Sequence, residues 1–282
     1  GRVVQSIDGK GGISKVEYNS IGEISAYIDK LSQRTEYFYD IYGNLSTIRY
    51  PDGTTESFTY NEEGWNITAT DREGKTTKFD YDALGRVIEV IYPDKSVKKI
   101  EYDAKGNITR VTDPNGNYTT YGYDAMGRNT TIRDMLGNVT TFVYSNSINP
   151  YIMIDAKGRE YKYTYDANGR RTMTTFPDGT TYCVSYDGAG NVISETDQAG
   201  NTTTYSYDYA GRLKSITDAM DNTWEYEYDA LGNLVKVTDP NLNETLYEYD
   251  ELGRLIKRTL PMGMSETVEY DAEGNVIATT DF

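Results

Sequence analysis

The 282-residue sequence contains no histidine. This removes Ser-His-Asp and Cys-His catalysis and every metal site that needs an imidazole. There is a single cysteine, Cys183, so no internal disulfide can form. With no histidine to activate it, Cys183, three residues before Tyr186, reads as an inert packed or surface thiol. No apolar run approaches the ~18 residues of a membrane span. Basic residues are also short: 28 Lys and Arg stand against 44 Asp and Glu, a formal charge of −16. Clustered cations that neutralise phosphates are therefore missing, which disfavours nucleic acid and an anionic membrane as partners. The acidity reads instead as a solvated surface that resists aggregation. The start, Gly1-Arg2-Val3-Val4, lacks the features of a signal peptide. The chain opens and stops, at Asp281-Phe282, inside strand-like patterns, which predicts a segment of a longer protein whose targeting information lies elsewhere.

What the sequence has in quantity is 28 Tyr and 26 Gly, with Thr, Asp and Asn around them. Aromatic and β-branched residues favour strands, and Gly, Asp and Asn favour the turns between them, so the composition predicts an all-β chain. Tyr recurs every 21 residues at 18, 39, 60, 81, 102, 123, 144, 165, 186, 207, 228, 249 and 270, without insertion or deletion. Asp follows in ten of these thirteen units, and Gly stands four residues after the Tyr in twelve, Ile148 being the exception.

The unit reads Tyr-Asp-x-x-Gly followed by Arg or Asn. An Asp carboxylate can accept a hydrogen bond from the backbone two residues on and start a reversal. Gly supplies the positive φ that the turn needs, and Tyr closes the preceding strand. The candidate turn residues are Tyr81, Asp82, Gly85 and Arg86, then Tyr102, Asp103, Gly106 and Asn107, then Tyr123, Asp124, Gly127 and Arg128. The set continues with Tyr165, Asp166, Gly169 and Arg170, Tyr207, Asp208, Gly211 and Arg212, and Tyr249, Asp250, Gly253 and Arg254. From 86 onward Arg and Asn alternate strictly after the glycine, which suggests a 42-residue double unit. The Arg can pair with a neighbouring Asp or Glu, or the alternation can simply preserve a duplication; both readings stand. A second turn falls midway, as in Tyr50-Pro51-Asp52-Gly53 and Asp113-Pro114-Asn115-Gly116. Two turns per unit leave two strands of roughly six or seven residues.

Two residues before each register Tyr stands an aromatic or β-branched residue, from Val16 and Tyr37 to Tyr247 and Val268. Positions two apart share a face of a strand, so one face is aromatic and the other largely solvated. The departing strands carry apolar residues such as Val87, Ile108 and Leu213, whose face the spacing does not fix. Two units are degenerate: Tyr18-Asn19-Ser20-Ile21-Gly22-Glu23, and Tyr144-Ser145-Asn146-Ser147-Ile148-Asn149-Pro150, a candidate kink or altered turn. A coiled coil of three heptads fails on the recurrent glycines, and a calcium-loaded β-roll would need a nine-residue glycine repeat. Asx-turn formation explains the recurrent Asp more simply than Ca²⁺ binding does. The repeated Tyr reads as a sheet-stabilising ladder, with sugar stacking as the alternative. Trp65 and Trp224 stand at different repeat positions and form no ladder of their own.

The Tyr-Asp-x-x-Gly-Arg units at 81–86, 123–128 (with Met126), 207–212 and 249–254 resemble the YD repeat of the RHS-repeat family. That family includes bacterial polymorphic toxins, wall-associated proteins, insecticidal toxin-complex components and teneurins, and the resemblance covers essentially the whole chain. It implies one array over residues 1–282: a continuous curved antiparallel sheet of tandem 21-residue hairpins, forming a section of a spiral hollow β-shell. It further implies a secreted or cell-surface, non-catalytic wall that encloses or presents a C-terminal toxin or effector, with the remaining shell repeats as partners and no cofactor. A carbohydrate- or surface-binding module of an adhesin is the alternative; an enzyme is disfavoured by the missing His and the unbroken period. The family's core ends in an autoproteolytic motif of the type Asp-Pro-x-Gly-Leu. Here Asp113-Pro114-Asn115-Gly116 is followed by Asn117 and Asp239-Pro240 by Asn241-Leu242, both at ordinary repeat turns, so the protease is not carried over and no cargo domain is read in the sequence. The unpaired end strands of such an array invite edge-to-edge self-association.

Overall fold

A computed structural model describes residues 4–7, 12–145, 147–271 and 274–281. Gly1, Arg2 and Val3 of the chain start, Asn146 of the seventh turn and Phe282 lie outside the described residues. The described residues hold 27 strands and no helix. Two units are compact in themselves, Gly1–Thr141 and Phe142–Phe282. In the first, each strand pairs antiparallel with the next in sequence, from Gln5–Ile7 on Ile13–Tyr18 to Asn129–Asp134 on the strand beginning at Val139. The second follows the same meander from Pro150–Ile154 to Val276–Thr280.

One repeat from each unit shows the construction. In the first, the strand Val97–Tyr102 arrives at the Tyr, the chain turns, Ile108–Thr112 departs, and Tyr118–Tyr123 arrives again. In the second, Thr202–Tyr207 arrives and Leu213–Thr217 departs. Arriving strands have six residues and most departing strands five, slightly shorter than the spacing predicts, because each turn takes five residues rather than four. The register Tyr is the last residue of its arriving strand, so the chain reverses where the Asp begins to compete for backbone amides.

A β-bulge recurs at the same place. Glu101 opposes Arg110 but Tyr102 opposes Ile108, leaving Thr109 as the extra residue. Ser206 opposes Ser215 and Tyr207 opposes Leu213 in the same way. The bulge breaks simple alternation and turns Ile108 and Val111 onto one face, the face of Ile100 and Tyr102. The apolar residues of the departing strands therefore line the aromatic face.

The other face is polar. Threonine hydroxyls meet across strands, Thr196 with Thr202 at 2.9 Å and Thr217 with Thr223 at 2.9 Å, and exposed ion pairs such as Lys257 with Glu248 add little individually. Among the described residues only Ala26 and Thr174 are buried, so neither unit closes an apolar core. The aromatic face is half-covered, and the chain is held by its hydrogen-bonded ladders, its cross-strand pairs and its turns.

Candidate functional site

The turn after each register Tyr is the most repeated arrangement in the molecule. In the turn at Asp82, the Asp82 amide donates to Arg86 O at 3.0 Å and the Gly85 amide to Asp82 O at 3.0 Å. One carboxylate oxygen of Asp82 accepts from the amides of Leu84 (2.9 Å) and Arg86 (3.0 Å), while the other accepts from Arg86 Nε at 2.6 Å. Gly85 stands at φ 79°, a left-handed conformation that costs an L side chain strain. The turns at Asp124, Asp166, Asp208 and Asp250 repeat this with Arg128, Arg170, Arg212 and Arg254, and with Gly127, Gly169, Gly211 and Gly253 at positive φ.

In the alternate turns Asn does the same work with a shorter reach. Asn107 donates its amide and its Nδ2 to the two oxygens of Asp103, at 2.9 and 2.8 Å, with Gly106 at φ 93°. These bonds hold the carboxyls below the usual carboxylate range: the Arg86 side chain does so first for Asp82, and the Asn107 side chain for Asp103. The degenerate first turn swaps the chemistry. Asn19 Oδ1 accepts from the amides of Ile21, Gly22 and Glu23, and its Nδ2 donates to Glu23 Oε2 at 2.7 Å. In the seventh turn, the Asn149 amide donates to Ser147 Oγ at 3.1 Å.

Arg and Asn differ in what they reach next. Arg86 Nη1 donates to Asp103 O, one repeat on, at 3.3 Å, and its guanidinium lies 4.5 Å from the ring centre of Tyr102. Arg170 reaches Asp187 O and the Tyr186 ring, Arg212 reaches Asp229 O and the Tyr228 ring, and Arg254 reaches Asp271 O and the Tyr270 ring. The arginine thus ties its own turn to the next.

The register tyrosines tie in the opposite direction. Most of their hydroxyls donate to the carbonyl oxygen fifteen residues earlier: Tyr81 to Asn66 at 2.7 Å, Tyr102 to Val87 at 3.0 Å, Tyr123 to Ile108 at 2.8 Å, Tyr165 to Pro150 at 2.9 Å and Tyr207 to Val192 at 2.9 Å. That carbonyl belongs to the first residue of the preceding departing strand, opposite the preceding register Tyr. Burial raises the Tyr207 and Tyr249 hydroxyls above the ordinary phenol value.

Trp65 joins this set, although nothing in its repeat position announces it. It occupies the Arg/Asn place after Gly64, its ring centre lies 5.5 Å from that of Tyr81, and a Cβ added to Gly85 would meet the indole at 2.9 Å. The indole replaces a guanidinium by covering the next turn. Cys183 is a free, half-buried thiol on the strand Thr181–Tyr186. Both Asp-Pro sequences, at 113–114 and 239–240, sit in midway turns closed by Asp113 N to Asn117 O and Asp239 N to Asn243 O. Among the described residues no three His, Cys, Asp or Glu converge as metal ligands, and no helix is long and apolar enough to cross a membrane.

The RHS Repeat family model matches residues 102–139, 153–181, 186–219, 207–244 and 247–282, more than half of the sequence. The chain belongs to the RHS-repeat family. The Teneurin YD-shell model matches residues 2–120 of the same RHS-repeat chain. No curated protein sequence matches it. Among solved structures, the RHS-repeat chain is similar to one described as TcdB2-TccC3-TEV, with a TM-score of 0.74 at 17% identity over 94% of this chain and 17% of the other. It is also similar to the Photorhabdus luminescens Tc holotoxin pore carrying a TccC3 mutation, with a TM-score of 0.58 at 17% identity over 97% of this chain and 19% of the other. TcdB2-TccC3 without its hypervariable C-terminal region gives a TM-score of 0.59 at 17% identity over 96% of this chain and 19% of the other. The RHS-repeat chain therefore spans less than a fifth of the toxin-complex chains whose fold it shares.

Proposed function

We propose that this RHS-repeat chain is a length of non-catalytic wall, secreted or presented at the cell surface, that encloses or presents a polypeptide belonging to its parent protein. The observation that carries this reading is the use made of the repeated polar groups. The turn carboxylates close their own turns, and the register hydroxyls and alternating arginines reach the repeats on either side, so the chemistry of the repeat is directed at continuity of the sheet. The Teneurin YD-shell match and the fold shared with toxin-complex chains support the same reading. The alternative, a glycan-binding module, would have to rely mainly on rings other than the register tyrosines, most of whose hydroxyls bond to backbone.

The test is limited proteolysis of the parent protein with mass spectrometry. The enclosed polypeptide is expected to survive trypsin until the wall is opened by Gly→Val changes in several turns. Digestion of that polypeptide at the same rate in the intact and opened proteins overturns the proposal.

A further inference from the structure

In an array this regular, departures from the repeat point to local roles. Nine residues after the register Tyr, the aromatic face carries a column that is mostly apolar, with Ile48, Val90, Val111, Ile132, Ile216 and Val237 among its members and Thr174, Glu195, Arg258 and Thr279 as its polar ones. Glu195 interrupts it in the second unit, opposite Val184 on one side and Thr203 on the other. Its carboxylate is held by two phenols: Tyr182 donates to Oε1 at 2.7 Å and Tyr205 to Oε2 at 2.9 Å. The Glu195 bond, with burial behind it, pushes the Tyr182 hydroxyl up to about 12. The same groove is lined by Arg171, which replaces the usual aliphatic residue at the start of a departing strand, and by the buried Thr174, which replaces one in the interrupted column. Three departures, at Arg171, Thr174 and Glu195, thus meet beside Tyr182 in one patch.

Glu195 is half-buried on an apolar face, and no ion pair of the described residues includes it. Where the same column carries a charge of the other sign, Arg258, the chain supplies its own partner, Glu266, at 3.2 Å. A carboxylate has about four acceptor positions, so the two phenols leave room for further donors.

The fold also shows what completes a carboxylate set beside tyrosine rings. Arg170 is bonded to Asp166 at 2.6 Å and lies 4.6 Å from the Tyr186 ring centre; Arg212 stands likewise between Asp208 and Tyr228, and Arg254 between Asp250 and Tyr270. At Glu195 the carboxylate and the phenols are present, and Arg171 of the same groove lies over the Tyr163 ring and forms no ion pair with that carboxylate.

We infer that the Tyr182–Glu195–Tyr205 cluster receives one lysine or arginine side chain of a polypeptide lying on the aromatic face. This rests on the wall reading and names the chemistry by which the wall holds what lies against it. A cation between a carboxylate and aromatic rings gains from both, and the formal charge of −16 favours a basic segment. Arg171, 4.2 Å from the Tyr163 ring centre, sets the polarity of that segment, with a basic residue at Glu195 and an acidic one toward Arg171.

The experiment is a fluorescence-anisotropy titration of the full 282-residue chain. The probe is a labelled peptide in which one lysine and one aspartate are set among glycines. Saturable binding is expected, weakening with salt and falling roughly tenfold when norleucine replaces the lysine or with Glu195→Gln. Glu195→Ile, which restores the aliphatic column, controls for folding: it is expected to melt at or above the parent temperature and to lose binding. Absence of saturable binding to the folded chain overturns the inference, as does equal binding by the Gln variant. Binding of a neutral maltooligosaccharide in place of the peptide, lost in the Gln variant, also overturns it and assigns the site to a glycan. The peptide outcomes leave the wall reading untouched, since it stands or falls on protease protection in the parent protein, whereas the oligosaccharide outcome favours the glycan-binding alternative.

Discussion

Tyr102→Phe isolates the hydroxyl staple from the ring that carries it. The variant keeps the ring beneath the Arg86 guanidinium and removes only the bond to Val87 O at 3.0 Å. A neutral hydrogen bond contributes a net stability of about 1 kcal/mol, with a range of roughly 0.5–1.5 kcal/mol. The loss should be local, because repeat arrays are held by nearest-neighbour terms and a single melting temperature averages over them. The suitable assay is native-state amide hydrogen exchange. Amides of the strands Val87–Ile91 and Val97–Tyr102 are expected to lose roughly fivefold in protection, the equivalent of about 1 kcal/mol, while those of remote repeats stay unchanged. Tyr209→Phe is the control, since Tyr209 is fully exposed at a turn tip. If the two variants behave alike, or if protection falls equally along the chain, the staple contributes nothing to continuity and the reading of the register Tyr is wrong.

Gly106→Val places a β-branched residue at φ 93°, with its Cβ 3.6 Å from Arg86 Nη1, and is expected to destabilise by roughly 1–3 kcal/mol. Ile148→Val, at an exposed position, should stay within about 0.5 kcal/mol, and equal thermal shifts would contradict the turn argument. Leu242 holds φ 64° while almost wholly exposed, at a place where most midway turns have Gly; Leu242→Gly is expected to stabilise by about 1 kcal/mol, and a fall in melting temperature would count against backbone strain there. Acid should weaken the chain. Asp40, Asp82, Asp103, Asp187 and Asp229 are held below the ordinary carboxylate value by side-chain bonds from Asn44, Arg86, Asn107, Asn191 and Asn233, so their contribution is present above about pH 3.9 and is lost as pH falls through their lower folded-state values. A melting temperature that stays flat below pH 4 would refute this.

Much of the local structure is legible in the sequence because it is local chemistry. The Asp82 carboxylate bonds amides two and four residues away, and Gly85 supplies the backbone twist, so spacing alone locates the reversal. The face of Ile108 is not legible, because the extra residue Thr109 breaks the alternation on which any face assignment rests. The target of the Tyr102 hydroxyl lies fifteen residues back and depends on that bulge, so periodicity marks the Tyr as repeated without saying what it holds. Trp65 and Arg86 share a repeat position and a task while sharing no functional group, which hides the equivalence until both are seen against the following turn. Glu195 reads as one acidic residue among many; its isolation appears only when its column is aligned in space with Ile216 and Val237.

The reach of the two staples has an evolutionary consequence. The Tyr hydroxyl looks back to the previous repeat and the arginine looks forward to the next, and neither reaches further. Every contact that defines a repeat is therefore satisfied within the repeat or by its two neighbours. Gain or loss of a whole number of 21-residue units leaves each of these contacts intact, whereas a change of any other length misaligns a hydroxyl and its carbonyl at once. Such an array can lengthen or shorten by recombination within its own gene without passing through a misfolded intermediate, and its length is open to selection in discrete steps.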